Sequence, residues 1–124
     1  MYTILMTLPK PSYKRGDVVL VLFPNSNLRT AKLRPGVIVQ TNNLKTGLNQ
    51  LVISMISSNM SRASHPSRVA ILVRSRVGNQ SGLLTDSVVM TDNLATVETF
   101  AIQRLIGTLP MKKINAALRH TLGL

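Results

Sequence analysis

The sequence predicts a mainly β chain with a C-terminal α-helix, the strands forming a small antiparallel sheet or barrel. Three observations carry that prediction. Short runs rich in β-branched residues recur along the chain. Stretches bearing Pro, Gly, Asn and Ser separate them. Only the final segment, from 110 onward, carries an apolar stripe that repeats clearly at helical spacing.

The strand candidates are "DVVLVLF" (17–23), "GVIVQ" (36–40), "QLVISMI" (50–56), "RVAILV" (68–73), "DSVVM" (86–90) and "QRLIGTL" (103–109). Several are apolar almost throughout, the pattern of strands covered on both faces. Gly16, Gly36, Gly47, Gly78 and Gly82 punctuate their boundaries. Asp17 beside Gly16 reads as a turn residue, and Asp86-Ser87 as a cap or turn between strands. In the helix, Pro110 suits the first position. Met111, Ile114, Leu118 and Leu122 share a face, Lys112, Lys113 and Arg119 lie off it, and Gly123 ends it. A shorter helix is expected within part of 41–49 or 94–101. Phe23 and the methionines Met6, Met55, Met60, Met90 and Met111 read as filling of the core or of a subunit contact.

The 124 residues form one domain, 1–124, with no repeat or linker, and at 44% hydrophobic the chain can bury a core. There is no cysteine, so neither disulfides nor thiolate metal sites arise. The longest apolar run, Val18 to Phe23, is far too short to span a bilayer. The opening "MYTILMTLPKP" has no basic leader and breaks at Pro9. These features lead us to expect a cytoplasmic protein with no membrane association.

Charge narrows the partners. Fifteen Lys and Arg face four acids, Asp17, Asp86, Asp92 and Glu98, for a net charge of +11. Such an excess favours polyanions, nucleic acid first. The cations are spread through loops instead of forming a membrane-binding amphipathic helix.

The same scarcity of acids limits the chemistry. A two-metal nuclease needs converging carboxylates, and His65 with His120 is too small a set for zinc. We therefore expect no metal and no cofactor. The two histidines read as surface residues, His65 in the loop "SNMSRASHPSR" (58–68) and His120 near a helix end. No nucleophile elbow or phosphate loop occurs. What remains is arginine with hydroxyls. RNA cleavage can draw its nucleophile from the substrate's own 2′-OH, leaving the protein to stabilise a phosphorane. A guanidinium suits that charge, and Arg34 together with "ISSN" (56–59) offers such a pair. On periodicity alone, Arg34 reads more readily as a solvated cation at a loop edge than as a catalytic group.

Three stretches in order resemble the MazF/PemK family of toxin ribonucleases: "YKRGDVVLVLFPNSNLRTAKLRPGVIVQ" (13–40), "QLVISMISSN" (50–59) and "GLLTDSVVMTDNLATVETFAIQRLIGTLP" (82–110). The first has a Gly-Asp turn and an Arg-Pro step, the second a Ser-Ser strand end, the third an Asp-Ser-Val strand and a final "IGTL". The resemblance spans about 13–122. It implies an SH3-like barrel of the MazF/CcdB-like toxin fold, acting as a homodimer. It also implies metal-independent cleavage of single-stranded RNA to 2′,3′-cyclic phosphate and 5′-OH ends. A cognate acidic antitoxin would block the groove. Arg34 matches the catalytic arginine and Ser57 the catalytic Thr or Ser. Ser58 stands one step away, on the opposite face of a strand. Pro35 would hold Arg34 extended. Arg29 and Lys32 would grip RNA, and Arg62 and Arg68 would contact phosphates or belong to a merely mobile loop. The chain departs from many members in the loop "PNSNLRTAKL", which carries no acid and leaves the general base unassigned.

Three other readings compete. A degenerate homologue would bind RNA or antitoxin without cutting. A CcdB-like gyrase inhibitor would need a C-terminal tryptophan that this chain lacks. A structural role in an RNA complex has only charge in its favour.

Overall fold

The computed structural model describes residues 12–124, so the expectations for the opening segment and for Met6 fall outside the described residues. Six strands and two helices follow in the order β1 (Asp17–Pro24), β2 (Ala31–Ile38), β3 (Gln50–Ser57), β4 (Arg68–Ile71), α1 (Arg76–Ser81), β5 (Ser87–Glu98), β6 (Ile102–Thr108) and α2 (Lys112–Leu122). A single 3-10 turn, Thr99–Ala101, joins β5 to β6.

All strand pairs are antiparallel, in the sheet order β4-β5-β3-β2-β1-β6. Successive valines of β1 divide between two cores. Val18 joins Val37, Ile56 and Val89 in one, while Val19 and Val21 join Ile38, Ile53, Met55 and Ile102 in the other. This explains the lack of polar alternation in the sequence: the strands are covered on both faces. Helix α2 closes the first core with Ile114, Ala117 and Leu118.

The second core is closed by curling of the sheet. Ser54 pairs with Leu94 but Met55 with Met90, so the register of β5 slips between them and the strand bends. Ser54 Oγ donates to the Met90 carbonyl oxygen at 2.7 Å and satisfies a group exposed by the slip. Among the described residues β4 and β6 are edges that do not pair with each other. The expected barrel is thus a curled, open sheet.

Other expectations are corrected locally. Strand β2 starts at Ala31, well before the expected Gly36, because it pairs with β1 to the end of the hairpin, Pro24 with Ala31. Segment 41–49 holds no helix, and 94–101 is strand to Glu98 but ends in the 3-10 helix Thr99–Ala101, which meets in part the expectation of a short helix there. Helix α1 was not expected, since "RVGNQS" has no apolar period; Ser75 caps it by accepting from the Gly78 N–H at 2.9 Å. Helix α2 begins after Pro110 and Met111, at Lys112, and ends at Gly123 in the left-handed conformation, as expected. Leu122 is exposed. Its place on the buried stripe goes to Ala117, while Thr121 pairs with Thr91 at 2.7 Å.

Two glycines bring α1 and β6 into contact. A Cβ on Gly82 would lie 1.9 Å from the Ile106 carbonyl oxygen, and one on Gly107 would lie 2.3 Å from the Ser81 carbonyl carbon. This approach fixes the segment 82–85 beside the end of β3, where a groove opens.

Candidate functional site

The β1–β2 hairpin builds the first wall. Its loop, 25–30, closes on itself. The Asn25 N–H donates to the Thr30 carbonyl at 2.9 Å and Asn25 Nδ2 to Thr30 Oγ1 at 2.8 Å. Asn27 Oδ1 accepts from the N–H groups of Arg29, at 2.9 Å, and Thr30, at 3.2 Å. Short polar side chains thereby replace strand pairing at the turn. Arg34 lies inside β2, opposite Val21 of β1. It is half-buried, and its Nη2 donates to Asn25 Oδ1 at 3.0 Å.

Pairing between β2 and β3 begins only at Gly36, opposite Met55. The preceding residue, Pro35, brings no N–H to a ladder. Beyond that point the two strands part. Extending the register by two residues sets Arg34 opposite Ser57, and both share a face with Gly36 and Met55 by strand alternation. Ser58 has the opposite parity. The gap opens into a groove of about 950 Å³.

Three cations line the groove, Lys32, Arg34 and Arg104. Hydroxyls come from Ser26, Ser57, Ser58, Thr85 and Ser87, and amides from Asn25 and Asn93. No carboxylate or imidazole appears in the lining. The acids are engaged elsewhere. Asp17 accepts from the Lys14 N–H, Asp86 from the Val73 N–H, and Glu98 from Gln50 Nε2, each at 2.8 to 2.9 Å. Among the described residues no cluster of three metal-ligating side chains occurs. The groove's chemistry is therefore that of a polyanion site: fixed positive charge from β2 and β6, hydroxyl groups from the end of β3 and from Thr85 and Ser87.

This fold has known counterparts. The family model described as PemK-like, MazF-like toxin of type II toxin-antitoxin systems matches residues 14–122. The chain belongs to that family. Solved structures with the same fold include an endoribonuclease in complex with its cognate antitoxin from a mycobacterial species. It is 24% identical, with a TM-score of 0.69 over 91% of this chain and 97% of that one. A second mycobacterial endoribonuclease is 25% identical, with a TM-score of 0.66 over 95% and 96%. MazF from Deinococcus radiodurans is 14% identical, with a TM-score of 0.68 over 92% and 99%. No curated protein sequence matches the chain significantly.

In this MazF-like chain the groove gathers Arg34, Ser57, Lys32 and Ser58. It does not gather the other expected contacts. Arg29 is exposed on the hairpin loop and Arg62 on the loop before β4, and neither lines the groove. Arg68 lies on β4, where its Nε and Nη2 reach the two oxygens of Asp92 at 2.8 and 3.0 Å. That fork holds the Asp92 carboxyl below the usual carboxylate range, outweighing the opposing effect of its slight burial. Arg68 faces a smaller depression between β4 and α2.

His65 and His120 meet edge to face, with ring centroids 6.1 Å apart, and neither lines the groove. His65 Nδ1 accepts from the Ser67 N–H at 3.1 Å. Groove residues that sequence reasoning passed over are Arg104, Asn25, Asn93 and Thr85. Arg104 was hidden inside an apolar strand motif, and only its pairing with Leu20 of β1 brings it to the groove. The absence of acid in "PNSNLRTAKL" was the available signal for Asn25, which supplies Arg34 with a neutral oxygen.

Proposed function

We propose that this MazF-like toxin is an endoribonuclease that cleaves single-stranded RNA without a metal. The substrate's 2′-oxygen attacks the adjacent phosphorus, the bond to the 5′-oxygen breaks, and the products carry a 2′,3′-cyclic phosphate and a 5′-OH. The observation that carries the reading is the opposition of Arg34 and Ser57 across a cationic groove. Arg34 stabilises the phosphorane charge and Ser57 holds a nonbridging oxygen. Lys32 and Arg104 draw the flanking phosphates into the groove, with Arg29, Ser58 and Arg62 as outer contacts. With no acid or imidazole in the lining, the 2′-OH proton passes to solvent, the departing 5′-oxygen takes a proton from solvent, and transition-state charge stabilisation dominates the rate enhancement.

The protein acts in the cytoplasm as a homodimer and is inhibited by a cognate acidic antitoxin. The dimer reading rests on an exposed apolar strip. Leu22 and Leu33, direct partners across β1 and β2, are both exposed, as are Leu84 and Leu105 beside the groove. The antitoxin reading rests on the net charge of +11.

The lack of a groove base also favours a second reading, a homologue that binds RNA or antitoxin without cutting. Incubation of a long single-stranded RNA with purified protein in EDTA separates the two. Discrete fragments ending in cyclic phosphate support the ribonuclease. Retained binding with no fragments at excess protein supports the binder.

A further inference from the structure

We infer that Phe100 is a stacking platform for a base of the bound strand, at the hairpin end of the groove; this rests on the RNA reading above. The chain has only two phenylalanines and two tyrosines. Phe23 is partly buried against the second core, whereas Phe100 is 86% exposed. It projects from the 3-10 turn Thr99–Ala101, just before β6.

Register places the turn at the hairpin end of the sheet, beside the groove, although Phe100 is not itself among the lining residues. Arg34 of β2, Val21 of β1 and Ile102 of β6 stand in one row across three neighbouring strands. Lys32 and Phe23 form the next row outward, directly paired with each other. The turn carrying Phe100 packs against β1 at this same end. Two strand spacings, roughly 10 Å, separate the β2 and β6 positions of such a row. Phe23 and Asn25, at the tip of β1, line the groove, so the groove reaches the neighbourhood of the turn.

The chemistry fits a nucleic-acid base. An exposed phenyl ring makes no hydrogen bond and forgoes the burial that would favour it elsewhere. Unpaired bases offer π-faces to such rings, and cations nearby hold the backbone in place. Here Lys32 lies two strands away, and Arg104 lies on β6, two residues beyond Ile102. Val21 and Ile102 of the Arg34 row are buried, so a strand held at Arg34 passes outward over Lys32, and over Phe23 at the tip of β1, to deliver a base to Phe100.

The test uses a noncleavable single-stranded RNA with a 2′-O-methyl at the scissile step. Phe100→Ala weakens its binding at least about fivefold, with unchanged circular dichroism and thermal midpoint. Phe100→Trp, the only tryptophan in that variant because the chain has none, binds as wild type and shows saturable quenching with the same midpoint. Phe100→Leu does not restore affinity. Removing one base from the RNA, at the stacked position, weakens wild type but not Phe100→Ala. Unchanged affinity in Phe100→Ala while wild type binds overturns the stacking role and leaves the RNA reading intact. Full restoration by Leu, or a loss of self-association in place of RNA affinity, likewise overturns it, assigning Phe100 to an apolar contact. Wild-type protein that binds no single-stranded RNA overturns both readings.

Discussion

Arg34 Nη2 donates to Asn25 Oδ1 at 3.0 Å, so the guanidinium on β2 is steered by an amide at the tip of β1. The hairpin loop is itself closed by the bonds from Asn25 to Thr30. Arg34 is therefore aimed by a preorganised neutral acceptor. Asn25→Ala is expected to lower the cleavage rate about tenfold while leaving the thermal midpoint nearly unchanged. Asn25→Asp is expected to be slower still, because a carboxylate competes with phosphate for the guanidinium. Rates equal to wild type in both variants would show that Arg34 needs no such aim.

Ser57 and Ser58 separate by strand parity. Ser57 shares the Arg34 face and Ser58 does not. Single-turnover rates should fall about tenfold or more in Ser57→Ala and by less than about twofold in Ser58→Ala. The reverse order would mean that β3 twists after Met55 enough to exchange the two faces.

Salt dependence counts the cations that meet phosphate. Lys32→Ala and Arg104→Ala should each reduce the slope of log affinity against log salt by about 0.7, the increment for one phosphate contact on a single strand. Arg68→Ala should leave the slope unchanged, since its guanidinium is forked onto Asp92 on another face. A slope change in Arg68→Ala would bring β4 into the RNA path.

The same ion pair sets a small acid dependence of stability. The carboxyl of Asp92 titrates below its unfolded value because Arg68 bonds it. Its contribution is therefore present above about pH 4, the unfolded range, and is lost as pH falls through the folded value. The pair is partly solvent-exposed, which limits the effect to about 1 kcal/mol or less. Denaturant midpoints of wild type and Asp92→Asn should differ at neutral pH and converge in strong acid. Curves that run parallel across that range would contradict the assignment.

Much of the fold was legible because its strands carry β-branched runs covered on both sides, as in "DVVLVLF" and "QLVISMI". The start of β2 was not. "AKLR" reads as a polar loop, yet pairing with β1 makes it strand. The second half of β5 lay beyond the expected strand 86–90, in a segment offered instead to a short helix. Pairing with β3 resumes beyond the slip and keeps it extended. For the site, local sequence pointed to Arg34 through Arg-Pro and the family likeness. Ser57 could not be told from Ser58 without the register, and Arg104 depends on a strand partner far away in sequence.

The central claim is that Arg34 supplies the charge that the phosphorane needs. The most direct test compares cleavage rates of wild type, Arg34→Lys and Arg34→Ala on one RNA in EDTA, with binding measured on the noncleavable analogue. Loss of that charge should slow Arg34→Ala at least about a hundredfold, with Arg34→Lys intermediate. Binding should fall much less, because Lys32 and Arg104 still hold the flanking phosphates. Cleavage by Arg34→Ala at the wild-type rate would contradict the account and move the search for the reacting groups away from this groove.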